Sequence, residues 1–319
     1  MRGSWMAEVK FDDIRLFLCD PRVQVRSSLR MALNDAGMKN GNIWEGGDMD
    51  AITDAVSDPN GPDIVICDVT ENTDEACQTF SAIRHNELGT NPFICIIGVA
   101  WSPKQALVSK VMGSGADVLV AAPISPSLIL DRIESLVHTR KPFVVTADYI
   151  GPDRRFLDDR DSEVELVEVP NSLRSKALGQ YNAARLKDEI AAARADINGQ
   201  KIDRQAFQVS YLADKILEGF HKGDLSNAGT KLNELKKVTN DLKMRAFSAG
   251  AKDLEELCVP LRTVLQSMID SRGKFSKKDS SLLAQLSLAV RASVRPGATG
   301  TASVRDIAKT VVGAGAAAS

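Results

Sequence analysis

Asp68 is the residue of this sequence best placed to do chemistry. It closes the stretch Pro62 to Val69, PDIVICDV, a short apolar run that ends in a lone acid and gives way to polar chain. Such a run, bounded by turn formers, reads as a strand buried on both faces. An acid at its carboxyl end falls where open parallel sheets gather their ligand and reaction groups. The alternative is that Asp68 simply caps the loop or helix that follows. Other reactive residue types are scattered. Of the 3 histidines, His85 and His138 fall at expected helix ends, and His221 stands beside Lys222 and Gly223 as a C-terminal cap. The 5 cysteines, Cys19, Cys67, Cys77, Cys95 and Cys258, form no CxxC pair and read as buried, reduced thiols. No zinc or iron constellation, Gly-rich phosphate loop, nucleophile elbow or metalloprotease helix is visible, so no catalytic residue and no metal are expected.

The elements that must position Asp68 follow from periodicity. From Ile14 onward, apolar runs alternate with amphipathic segments, the pattern of a doubly wound α/β domain. Strands are expected at Ile14 to Cys19, Asn42 to Glu45, Asp63 to Cys67, Phe93 to Val99 and Val118 to Ala121. Helices are expected near Arg22 to Ala36, Asp48 to Val56, Glu75 to Asn86, Pro103 to Met112 and Ser127 to His138. The chain of 319 residues has 44% hydrophobic residues, enough for two cores. Its net charge of -2 and 5% aromatic content argue against a nucleic-acid surface. No run is long and apolar enough to span a bilayer, and no charged-then-apolar leader pattern opens the chain, so a cytoplasmic location is expected. Met1 to Trp5 precede a second methionine and are left out of the fold reading.

Three segments of the first half resemble the receiver domain of two-component response regulators. RLFLCD (Arg15 to Asp20) is similar to its first strand and acidic pocket, PDIVICDV to its phosphoacceptor strand, and GADVLVAAPISP (Gly115 to Pro126) to its fifth strand and following turn. The resemblance covers residues 12–140 and implies Asp68 as the candidate phosphoacceptor, with Asp20 as a residual acidic pocket. Aspartyl-phosphate chemistry also needs a divalent cation, a lysine and a gripping hydroxyl. Where the family has a second acid, this chain has Pro21, followed by Arg22. Ala122 stands in place of the lysine, and the segment Ile96 to Trp101, which includes Val99, carries no hydroxyl. The resemblance therefore implies a degenerate receiver that phosphorylation does not switch in the usual way. In the alternative, Asp68 remains a slow acceptor helped by Arg22 or Lys104, with magnesium as cofactor.

Residues 141–170 read as a linker with an extended start, PFVV, and a Gly-Pro turn at Gly151 and Pro152. Arg154, Arg155 and Arg160 alternate with Asp153, Asp158, Asp159 and Asp161, which favours mutual solvated pairing over a phosphate grip. Phe143, Val144, Tyr149, Ile150 and Phe156 require the segment to pack on a domain.

From Asn171 strand signals vanish. A helix opening at the cap Asn171 or Ser172, then Arg204 to His221, Leu225 to Ala246, Lys252 to Ser271 and Lys278 to Val294, imply an antiparallel bundle over 171–295. Residues 296–319 read as a flexible tail, in which Val304 to Val312 could form a short docking helix. Within the bundle, Thr239 to Cys258 resembles the active helix of histidine-containing phosphotransfer domains: Leu242, Lys243, Gly250, Ala251, Leu254, Leu257 and Cys258 fall in register. The position of the phosphorylated histidine is taken by Asn240, an amide that cannot serve as the nucleophile. The expected function is a non-enzymatic signalling protein of a bacterial two-component network, without a cofactor. It would act by protein-protein contact with a histidine kinase, phosphotransfer protein or receiver, and by self-association, with no nucleic acid or membrane partner. The alternative is a response regulator phosphorylated at Asp68 with the bundle as output.

Overall fold

The structure is a computed structural model that describes residues 9–101, 103–155, 165–223, 227–271 and 276–294. Phe156, Asp158, Asp159, Arg160, Asp161 and the segment 296–319 with its expected docking helix lie outside the described residues.

Five apolar runs form one parallel sheet: β1 (Leu16–Cys19), β2 (Ile43–Gly46), β3 (Ile64–Asp68), β4 (Cys95–Trp101) and β5 (Val118–Ala122), in the order β2-β1-β3-β4-β5. Period-2 alternation sends their side chains into two separate cores. Leu16, Leu18, Ile64, Ile66, Ile97 and Val99 enter one, closed by α1 (Val23–Asp35) and α5 (Pro126–Thr139) through Leu29, Leu33, Ile129 and Ile133. Phe17, Cys19, Val65, Cys67, Ile96 and Ala100 enter the other, closed by α2 (Met49–Ser57), α3 (Thr73–Arg84) and α4 (Gln105–Gly113). Helices on both faces leave the strand ends as the open edge, and Asp68 is the last residue of β3.

The segment after α5 is an antiparallel sheet of three short strands, β6 (Phe143–Val145), β7 (Ile150–Pro152) and β8 (Leu166–Val167), ordered β7-β6-β8. Gly151 and Pro152 therefore do not turn the chain. The reversal comes earlier, where the Thr146 amide donates to the Tyr149 carbonyl at 2.8 Å. Gly151 is needed for close approach instead, since a Cβ there would stand 2.9 Å from the Cα of Gly115 and 2.5 Å from the Tyr149 hydroxyl. A buried ionic cluster anchors this small sheet. Asp117 accepts from Arg84 at 2.9 Å and Arg140 at 2.8 Å, and both guanidiniums lie 5.2 Å from the Phe143 ring.

Beyond it, α6 (Ser172–Ala177), capped by Asn171, buries Leu173 and Ala177 in the sheet domain's core with Ile129 and Ile133. Gly179, at φ +67, breaks the chain. Next, α7 (Ala183–Lys222) runs without interruption through the stretch expected to separate two helices. Gly199 is tolerated inside it, and the buried Ile197 and Ile202 on either side carry the apolar spacing across. The chain divides into two compact units within α7, between Arg194 and Ala195, rather than in the stretch 141–170.

In the second unit, α8 (Ala228–Ser248), α9 (Lys252–Asp270) and α10 (Lys277–Ser293) share an apolar core with the later part of α7, built from Val209, Leu235, Leu242, Leu257, Leu261, Leu265 and Leu286. The expected architecture, a doubly wound sheet followed by a helical region, is the one observed. Among the described residues, no helix is long and apolar enough to cross a membrane.

Candidate functional site

Asp20 and Asp68 meet at the carboxyl edge of the sheet because β1 and β3 are adjacent and in register, Cys19 opposite Cys67. Their side chains are 8% and 3% exposed. A cation between them offsets the repulsion of two carboxylates this close and this buried. Arg22 supplies it. Its Nε donates to Asp20 Oδ1 at 2.8 Å, and one terminal nitrogen donates to Asp20 Oδ2 at 2.7 Å and Asp68 Oδ2 at 2.6 Å. The local chain favours this aim: the Arg22 amide also bonds Asp20 Oδ1 at 2.8 Å, a tight turn that points the side chain back over the strand ends. Arg22 thus occupies the N-cap position of α1 without capping it. Hydrogen bonding to Asp20, and then the charges of Asp20 and Asp68, hold the Arg22 pKa above its ordinary value against partial burial. Its guanidinium lies 4.6 Å from the Trp101 ring centroid, so an aromatic face covers the cation.

A hydroxyl does reach Asp68, from an unexpected residue. Thr70 Oγ1 donates to Asp68 Oδ2 at 3.3 Å and accepts from the Trp101 amide at 3.0 Å, while the Thr70 amide donates to Asp68 Oδ1 at 3.0 Å. Asp68 therefore caps its own loop as well as pairing with Arg22. Thr70 did not stand out in the sequence, because its link to Trp101 depends on the β3 and β4 register.

The other expected positions fall as follows. Val99 pairs in register with Asp68 and is buried with its apolar side chain in the α1 and α5 core. Ala122 ends β5, and Pro21 separates Asp20 from Arg22. No hydrogen bond or ion pair joins Lys104 to either carboxylate, and its place is the N-cap of α4. Arg155 pairs with Asp153 at 2.9 Å, whereas Arg154 donates to the Ala116 and Asp117 carbonyls. All 5 cysteines are buried and free. His85 is the C-cap of α3, and His138 and His221 lie in the last turns of α5 and α7.

A divalent cation does not fit the residues present. The guanidinium already donates to oxygens of both carboxylates, and no second acid follows Asp20. Among the described residues no group of His, Cys, Asp and Glu is arranged to hold a metal.

Asn240 lies far along the chain, half-buried on α8, with its Oδ1 buried and unpartnered among the described residues. The next residue, Asp241, accepts from Gln205 and, at 3.1 Å, from Arg245. Burial raises the Asp241 pKa, but Arg245 and the Gln205 hydrogen bond outweigh it and hold the carboxyl below its ordinary value.

No protein family and no curated protein matches the chain. Among solved structures, it is similar to a response regulator from Thermotoga maritima at 18% identity over 39% of this chain and 96% of that one, with a TM-score of 0.33. It is also similar to the Vibrio cholerae chemotaxis protein CheY4 at 15% identity, over 38% and 96% of the two chains, with a TM-score of 0.33. Likenesses of this size add nothing to the function, and the fold stands on the strand order itself.

Proposed function

We propose that this chain is a non-enzymatic signalling protein of two-component type, in which a degenerate receiver domain works by contact with other signalling proteins rather than by accepting phosphate. One observation carries the reading: the Arg22 guanidinium fills the space between Asp20 and Asp68, 2.7 and 2.6 Å from their oxygens. Accepting a phosphoryl group on Asp68 requires the carboxylate oxygen to be exposed to the donor and the new charge to be neutralised. Asp68 Oδ2 instead already accepts from Arg22 and Thr70. The bundle is read in the same way: if Thr239 to Cys258 corresponds to a phosphotransfer helix, the key position holds Asn240, an amide that takes no phosphoryl group.

The rival reading keeps Asp68 as an acceptor, with Arg22 as the neutralising cation and Thr70 as the hydroxyl. Incubating the full chain with acetyl phosphate and magnesium, then measuring intact mass beside Asp68→Asn, separates the two. The expected result is an unmodified mass for both proteins. A stoichiometric phosphate adduct on the wild type that is lost in Asp68→Asn would establish the rival.

A further inference from the structure

The opposite end of β3 borders a second feature. A half-open groove of about 510 Å³ lies at the amino-terminal edge of the sheet, wholly within the first unit. Its volume falls in the range of small-molecule sites, roughly 300–1,000 Å³.

The groove is lined by a buried ion pair, in which Lys176 Nζ donates to Asp63 Oδ2 at 2.7 Å with side chains only 7% and 4% exposed. The Tyr181 ring covers that ammonium at 5.0 Å yet keeps 47% of its residue surface open to the groove and solvent. Ser172 is 4% exposed and lines the same space. Arg15, Lys187 and Arg194 complete the polar rim; the Arg15 amide donates to Asp63 Oδ2 at 2.8 Å and its guanidinium to the Asn60 carbonyl at 2.5 Å, and no ion pair joins the three side chains to a carboxylate among the described residues. Asp63 is the single acid in the lining, and Lys176 already answers it.

Such a surface is unfavourable when empty. Like charges collect along one groove, where each repels the next. An anion relieves that repulsion through charge-assisted hydrogen bonds from the guanidiniums and ammonium groups. An inorganic ion would leave much of the groove unfilled, including the open face of Tyr181 and the apolar wall of Ile94 and Ile190. A flat heterocycle fits there, because stacking on an aromatic face tolerates any base.

We propose that this groove binds a nucleoside phosphate, its phosphate drawn to Arg15, Lys187 and Arg194 and its base to Tyr181. The site is separate from the Asp20 and Asp68 pocket and stands whether or not Asp68 takes a phosphoryl group.

Isothermal titration of the full chain with ATP, GTP and inorganic phosphate tests it. The expected result is saturable binding of at least one nucleotide, weakened about tenfold or more in Tyr181→Ala and in the double variant Lys187→Ala with Arg194→Ala. All three side chains are exposed, so these variants keep the fold, which circular dichroism checks. Absence of saturable binding by either nucleotide at millimolar concentration would overturn the proposal, as would unchanged affinity in these variants. Equal affinity for inorganic phosphate would overturn the role assigned to the base and to Tyr181.

Discussion

Arg22 does at the strand edge what a bound cation would otherwise have to do, and it is covalently part of the chain. Its removal leaves two carboxylates, 8% and 3% exposed, facing each other. Leaving charged acceptors unsatisfied costs about 1–3 kcal/mol, so Arg22→Ala should lower the unfolding free energy by that amount, read as a lower urea midpoint. Magnesium should restore stability to the variant, because a ion that binds only the folded state stabilises it, and should leave the wild type unchanged. Thr70 gives a second handle. Thr70→Val breaks the links to Asp68 and to the Trp101 amide and should cost about 1 kcal/mol, with a change in Trp101 fluorescence. At this scale the sequence showed the two acids, the missing hydroxyl on β4 and a positive neighbour at Arg22. It did not show that the neighbour turns back to bridge both acids, because the bridge depends on β1 and β3 lying side by side in register.

Elements were legible where one local rule decided them. The five sheet strands are apolar runs closed by turn signals, and each lies within a few residues of its expected bounds. β7 was not, because Gly-Pro usually marks a turn, and the close approach of Gly151 to Tyr149 and Gly115 exists only in the folded chain. Nor was the continuity of α7, where one glycine without a proline weakens a helix but does not end it. The small sheet also hangs on charges that were invisible in advance. Burial raises the Asp117 pKa, but Arg140 and Arg84 outweigh it and hold the carboxyl below its ordinary value. An acid depressed in the folded state contributes stability above its unfolded pKa of about 3.9 and loses it as pH falls towards the folded value. Urea unfolding followed from neutral pH down to about 3 should show that loss, and Asp117→Asn should lack this part of the slope. The same substitution leaves Arg84 and Arg140 buried without their counter-charge, and should cost about 3–5 kcal/mol at neutral pH.

For the whole molecule, a sheet-bearing unit is followed by a helical one whose stability rests on apolar contacts. Leu257→Ala or Leu265→Ala, each at 0% exposure, should cost about 2–5 kcal/mol, read by thermal unfolding of the full chain. If phosphorylation does not switch the protein, its sedimentation coefficient should be the same with and without acetyl phosphate and magnesium. The central claim is that Arg22 holds the place of a divalent cation between Asp20 and Asp68. The free-ion electron paramagnetic resonance signal during a manganese titration tests it most directly. The wild type should leave manganese free at millimolar concentration, while Arg22→Ala gains one saturable site. A stoichiometric site in the wild type that disappears in Asp68→Asn would contradict the account.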